Sequence, residues 1–336
     1  MEALLATTGL SLSALQERGG LFDEFLGLHQ KNPDWFVARI QSHRYGLATG
    51  LLANWWCKLL AGEDPLRLAT LAPEFGTMDG SRMITQATQA AMKDQTLLDG
   101  IMSRLEAMPE GEAKIRMWTA AGKGVSALGP DALLVYYRSA KGTDEKAMFC
   151  RGLASALARA SVSPEHAAEI YAQLPKAQRE IVALSAARES GRNAIGITAS
   201  IDQLLGTPTW RDKAKELTFH LHNSLPSGTD AARVAEWATS LPEGTETEDL
   251  YRTAVRPYLQ QTQVDEVRKW IATMPKGWQR DNTLAAWVQA TANADGDPAI
   301  IDWAADRIES PYFRGQAAAW RVAMDARKEK NKPAGR

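Results

Sequence analysis

The sequence predicts an all-α protein, an α-solenoid of about nine helix–turn–helix hairpins with a period of about 33 residues. Two observations predict this architecture. Prolines and glycines recur at nearly constant steps along the chain, and the apolar residues between them follow the spacing of one helix face. A third observation argues against a sheet, because no segment alternates apolar and polar residues as a half-buried strand does.

Two series of prolines and glycines predict where the helices begin and end. One series has steps of 33 or 34 residues and consists of Gly76, Pro109, Gly142, Pro175, Pro208, Pro242 and Pro275. The other runs about 11 residues out of phase and consists of Pro33, Pro65, Pro130, Pro164 and Pro298. We expect this second series to begin the first helix of each hairpin, because proline fits the first helical turn. The first series should end that helix, because a proline cannot continue it.

The clearest repeat pairs EWATSLPEG at 236–244 with KWIATMPKG at 269–277. The glycine two residues after each proline, Gly244 or Gly277, should supply the turn to the second helix, since glycine tolerates conformations that other residues avoid. Before the turn, the apolar residues follow an i, i+3, i+4, i+7 pattern, as in Val267, Trp270, Ile271 and Met274. The repeat is therefore a helical hairpin.

These hairpins combine W-x(4)-P-x-G in the first helix with L-A-A-W or A-A-A-W in the second. In this they resemble bacterial α-solenoid repeats of the tetratricopeptide-like class, whose period and helix–turn–helix order agree with those found here. The usual W-x(2)-L-G-x(2)-Y signature of that class is absent. The resemblance implies a scaffold that binds a partner, and it assigns no functional residue.

The repeats predict three segments. Residues 1–32 should form an N-terminal helical cap, because the ends of a solenoid need closure. Residues 33–328 should form the repeats. Residues 329–336 are basic and contain proline and glycine, so we expect a disordered tail.

Composition limits the classes of function. The 39 basic and 40 acidic residues give a net charge of −1, which disfavours a general nucleic-acid binder. No stretch reaches the roughly 18 apolar residues that a membrane span needs. The N-terminus lacks the basic region of a signal peptide, so for the chain as it stands we expect a soluble, cytoplasmic protein.

The chain offers no motif for catalysis, cofactor binding or metal binding. Cys57 and Cys150 have no partner spacing and are expected to be buried as small apolar residues. His220 and His222 are two residues apart and so face different sides of a helix; Glu216 could meet His220, but no third ligand is evident. We therefore predict no enzyme activity, no metal site and no cofactor.

Tryptophans recur with the hairpins. Trp237, Trp270 and Trp303 are spaced by 33 residues, as are Trp287 and Trp320. We expect each set to fill the same buried pocket between helices, because buried aromatic residues dominate the packing of repeats. The alternative is a stacking ladder for a ligand.

Arg211, Arg280 and Arg314 stand near the start of second helices, where a positive charge opposes the helix dipole. Each should therefore meet a carboxylate or an exposed carbonyl. The alternative is a row that binds anions.

Stacking should align equivalent residues on one surface. Glu236, Lys269 and Asp302, each just before its tryptophan, should form one such column. Its mixed charge suits a peptide groove better than nucleic acid. Trp278 and one ring of Trp55 and Trp56 are further candidates for an exposed aromatic; we take Trp56 and Trp278 as partner-binding candidates.

The sequence thus favours a non-catalytic scaffold that binds a protein or peptide through the solenoid surface. Two alternatives stay open. One is a DNA-acting, glycosylase-like enzyme on a helical-repeat scaffold, which needs a basic patch around an exposed Trp–Asp pair. The other is a sensor that holds a small molecule between hairpins.

Overall fold

The structure, a computed structural model, describes residues 47–330 except 76, 160, 192 and 226–230, together with the single positions 27, 34, 37, 38 and 41. Within this part every regular element is helical and no strand occurs, so the all-α prediction is confirmed there. The predicted cap at 1–32 lies outside the described residues except for position 27. Of the predicted tail, residues 329 and 330 belong to the last helix, and 331–336 lie outside the described residues.

Short and long helices alternate along the described chain. The helices are α1 (Leu47–Glu63), α2 (Pro65–Leu71), α3 (Thr77–Ala91), α4 (Gln95–Glu106), α5 (Glu112–Val125), α6 (Pro130–Ser139), α7 (Thr143–Leu157), α8 (Pro164–Ala172), α9 (Lys176–Glu189), α10 (Ala194–Asp202), α11 (Pro208–Ser224), α12 (Ala231–Ala238), α13 (Thr245–Gln261), α14 (Val264–Thr273), α15 (Trp278–Asn293), α16 (Pro298–Ala305) and α17 (Pro311–Lys330). From α2 onwards the even-numbered helices are the shorter ones, and the odd-numbered helices are the longer.

Proline and a capping side chain begin several of the short helices. Asp64 accepts a hydrogen bond from the backbone N–H of Arg67 at 2.9 Å, and Ser163 accepts one from His166 at 3.2 Å. In both cases a proline follows the cap at the first helical position, as predicted. Pro208 belongs to the series that we expected to end the first helix of each hairpin. In the structure it begins the long helix α11, directly after the capping residue Thr207.

Glycine makes the turn from a short to a long helix. Gly111 precedes α5 with φ 150° and ψ −178°, and Gly277 precedes α15 with φ 142° and ψ −161°. Only glycine adopts this region without strain, because a Cβ atom would clash there. The predicted role of the glycine in P-x-G is confirmed at both turns.

The chain divides into two compact units, Met1–Leu153 and Ala154–Arg336. In the first unit α3 packs on α5, and the hydroxyl of Thr85 donates to the carbonyl of Ala120 at 3.1 Å. In the second unit α9 packs on α11, α11 on α13, α13 on α15, and α15 on α17. The long helices are thus next to one another in space although a short helix separates them in the chain.

The prediction that the repeated tryptophans are buried is wrong for most of them. Trp287 is buried, with 3% of its surface exposed. The others are half-buried, and they are Trp237, Trp270, Trp303 and Trp320. Polar or cationic groups contact some of these rings: the indole N–H of Trp237 donates to Asp202 at 2.8 Å, and the Arg307 guanidinium lies 4.2 Å from the Trp303 ring centroid.

Candidate functional site

A groove of about 700 Å³ lies along α11, α13 and α15 of the second unit. On α11 it is lined by one helix face, made of Arg211, Lys215, Thr218 and His222. The same i, i+4, i+7, i+11 spacing returns on α13 as Thr245, Asp249, Arg252 and Arg256. Ala286 and Gln289 of α15 complete the lining.

The groove carries charges of both signs that have no ion-pair partner among the described residues. Its cations are Arg211, Lys215 and Arg256, and its carboxylates are Asp212, Glu246 and Asp249. Within the described part of the chain, none of these six side chains makes a hydrogen bond or an ion pair, whereas the side chain of Arg252 makes both. All are exposed except Arg256, which is half-buried. The groove therefore offers charged groups to a ligand.

Arg252 is the exception, because it belongs to a nearly buried polar network. Its guanidinium is paired with Glu248 at 2.6 Å, and only 13% and 10% of the two side chains are exposed. The guanidinium also donates to Asn282 at 2.8 Å and to Gln316. Tyr312 donates its hydroxyl to Glu248 at 3.0 Å. Burial lowers the pKa of Arg252. The hydrogen bonds and the ion pair fix the position of its guanidinium and join α13, α15 and α17.

The rim of the groove has an exposed aromatic side chain. Phe219 on α11 exposes 62% of its surface, whereas Trp210, which also lines the groove, exposes only 1%. A second, more apolar groove of about 440 Å³ lies along α9 and includes Thr209 of α11. Ile181 lines this second groove and exposes 59% of its surface. Exposed apolar side chains thus occur on both α9 and α11, at Ile181 and Phe219.

The predicted column of partner-binding residues lies elsewhere. Glu236, Lys269 and Asp302 are all exposed, as expected, but they belong to the short helices α12, α14 and α16. The groove is built by the long helices, and none of these three residues lines it. Asp302 is also engaged in an ion pair with Arg321 of α17.

The two aromatic candidates differ in exposure. The prediction that Trp56 is exposed for partner binding is wrong, because its side chain is fully buried. Its ring stacks on that of Phe75, with 5.8 Å between the ring centroids. Its neighbour Trp55 is half-buried. Trp278 is half-buried as well and makes edge contacts with Tyr251 at 5.2 Å and Phe313 at 6.4 Å.

The arginines at the start of the long helices have different environments. Arg314 donates to the carbonyls of Ile308 at 2.9 Å and Glu309 at 3.3 Å, so the predicted exposed carbonyl is found there. Arg280 lies close enough to Glu309 to help lower the pKa of that carboxyl, although the hydrogen bond from Lys276 is the larger cause. Arg211 lines the groove instead.

The histidine and cysteine side chains do not form a metal site in the described residues, where no three potential ligands cluster. His220 is 3.9 Å from Glu216, the contact expected for residues four apart on a helix. Cys57 and Cys150 are buried, as predicted. Burial raises the pKa of the Cys57 thiol to about 12 and that of Cys150 to about 11, so neither is a reactive thiolate.

Sequence reasoning missed the groove. The signal that could have found it is the offset of 34 residues between equivalent charged positions, such as Lys215 and Asp249. Among the described residues, no helix has both the length and the apolar character to cross a bilayer. Comparison with protein-family models, curated proteins and solved structures finds no match to the chain.

Proposed function

We propose that the helix pairs of this chain are α-solenoid repeats of the tetratricopeptide-like class and that the long helices α11, α13 and α15 bind a protein or peptide partner without catalysis. The observation that carries the proposal is the groove of about 700 Å³, lined by charges of both signs that form no ion pair with any described residue.

The register between neighbouring long helices supports the repeat. Glu180 accepts a hydrogen bond from Thr209 at 2.8 Å, and eight residues further along α9, Arg188 donates to Glu216 of α11 at 2.6 Å. Residue numbers rise together along both helices, so α9 and α11 run parallel. Two long helices run parallel in this way when the short helix between them returns the chain to its starting side, which is the geometry of a stacked hairpin.

The chemistry of the lining supports a peptide over nucleic acid. A groove that follows a phosphate backbone needs lysine or arginine at each step. Here Asp249 follows Thr245 along α13, and Glu246 stands beside them. A polypeptide offers both charges as well as apolar side chains, and exposed Phe219 at the rim is the kind of aromatic residue that interfaces favour.

The size of the groove also fits a second candidate, a small-molecule sensor, because ligand pockets measure about 300–1,000 Å³. Such pockets are mostly apolar with a few polar groups, whereas six unpaired charges line this one. We therefore rank the peptide first. A DNA-acting enzyme of the kind considered above needs an exposed Trp–Asp pair in a basic patch. In the pair formed by Trp237 and Asp202, the indole N–H donates to the carboxylate, and both residues belong to short helices outside the groove, so this function has less support.

Affinity capture from the native cell tests the proposal. The bait is the tagged wild-type chain, and the variant is Phe219→Ala, which removes an exposed ring and should not disturb the fold. Val322→Ala is the matched control, because Val322 is 68% exposed on α17 and does not line the groove.

We expect a partner that wild type and Val322→Ala retain and Phe219→Ala loses. A partner retained equally by all three would contradict binding in this groove. If no protein is retained but a metabolite raises the thermal midpoint of wild type and not of Phe219→Ala, the sensor takes its place.

A further inference from the structure

The two ends of the groove differ in charge. Where α11 and α13 begin, Arg211 and Lys215 stand among the carboxylates of Asp212, Glu246 and Asp249. About 10 Å further along α13, at 1.5 Å per residue, Arg256 lies without any of these carboxylates beside it in the helix. The charge of the intervening Arg252 is matched by Glu248. The far end of the groove is therefore the positive one.

Hydrogen-bond donors gather at this positive end. Five side chains line it, two from α11, two from α13 and one from α15: Thr218, His222, Thr253, Arg256 and Gln289. Within the described residues none of these five side chains makes a hydrogen bond. Helical threonines elsewhere bond back to the preceding turn, as Thr119 does to Ile115 at 2.9 Å and Thr283 to Gln279 at 2.8 Å. The hydroxyls of the groove are left for a ligand.

We infer that this positive end binds a carboxylate of the partner, and that the partner segment is an extended acidic peptide. This inference rests on the proposed partner-binding function. A guanidinium binds a carboxylate through two parallel N–H···O bonds, and the hydroxyls and the Gln289 amide can donate to its remaining lone pairs. A carboxylate would thus satisfy donors whose side chains have no acceptor among the described residues.

The length of the groove sets the length of the segment. From Arg211 to His222 the lined face of α11 extends about 16 Å at 1.5 Å per residue. An extended chain advances about 3.3 Å per residue, so the groove accommodates roughly five residues. A basic residue at the other end of the peptide would face Glu246 and Asp249.

Fluorescence anisotropy with a defined probe tests the inference. The probe is a fluorescein-labelled, amidated pentapeptide whose residues are, in order, lysine, alanine, leucine, glutamate and glutamate. A second peptide replaces both glutamates by glutamine. We expect wild type to bind the glutamate peptide about tenfold or more tightly than the glutamine peptide, the effect of one charge-assisted bidentate contact.

Variants identify the groups responsible. Arg256→Gln should reduce the preference to about twofold or less, and Arg256→Lys should retain part of it, since a lysine keeps the charge and loses the bidentate geometry. Lys93→Gln is the control, because Lys93 is an exposed cation outside the groove and its loss should leave the preference unchanged. Circular dichroism of each variant verifies the fold.

Equal binding of the two peptides by wild type, or a preference that survives in Arg256→Gln, would overturn the inference. A third result would also overturn it: inorganic phosphate binds in a way that depends on Arg256, while the protein shows no preference between the two peptides. The site would then bind a free anion. If partner capture depends on Phe219 but no acidic preference is seen, the proposed function stands and the carboxylate assignment fails. If capture does not depend on Phe219, the proposed function itself fails.

Discussion

Replacing Trp287 by alanine should destabilise the second unit far more than replacing Trp270. Trp287 exposes only 3% of its surface and packs edge-on against Trp303 at 5.7 Å. A buried aromatic of about 200 Å² contributes roughly 5 kcal/mol at 25 cal/mol per Å², and measured losses for such residues are about 3–5 kcal/mol. Trp270 is half-buried against Tyr258, so its removal should cost about half as much, roughly 2 kcal/mol.

Hydrogen exchange followed by mass spectrometry resolves this difference by segment. In Trp287→Ala we expect protection to fall across α15 and its neighbours α13, α16 and α17, because each helix depends on the ones it packs against. Trp270→Ala should lower protection less, and mainly around α14. Equal losses in both variants, or a loss spread evenly over both units, would refute the burial argument.

Three further predictions concern the polar network and the titrating groups. Glu248→Ala leaves the nearly buried Arg252 without its carboxylate and should cost about 2–3 kcal/mol in urea unfolding, and the double variant Glu248→Leu/Arg252→Leu should recover most of it. Burial raises the pKa of Tyr251 to about 12, so as the pH rises the unfolded chain loses the Tyr251 proton before the folded protein does. The free energy of unfolding should therefore fall between about pH 10 and 12, by about 1.4 kcal/mol per pH unit. The fall should be shallower in Tyr251→Phe. The native protein should react with a thiol reagent at neither Cys57 nor Cys150 at about pH 8, and should react at both after unfolding, because burial raises the pKa of both thiols.

Local signals made the helix boundaries predictable from the sequence. A proline behind Asp64 or Ser163 starts a helix through the conformation of its own ring and the cap beside it. Gly111 and Gly277 mark turns because the backbone there excludes other residues. Such effects act within a few residues, so they can be seen in the sequence without knowledge of the tertiary structure.

Depth of burial and the groove could not be predicted in this way. Helical spacing says which face Trp270 occupies but not how far the neighbouring helix covers it. Trp56 looked like a surface candidate because no local pattern indicates that Phe75 stacks on it. Asp281 is another example, because only 4% of its surface is exposed. Its carboxylate accepts hydrogen bonds from the backbone N–H groups of Glu309 and Ser310, which lie 28 and 29 residues away in the sequence. Contacts of this kind depend on how helices align.

Site-specific photo-crosslinking in the native cell tests partner binding in the groove most directly. A benzophenone amino acid would replace Phe219 at the groove rim in one variant and Val322, exposed on α17, in the other. If the partner binds in the groove, position 219 should give a crosslinked protein, attached through a segment of a few residues that contains glutamate or aspartate, and position 322 should give none. No crosslink from position 219, or the same partner crosslinked from both positions, would contradict it.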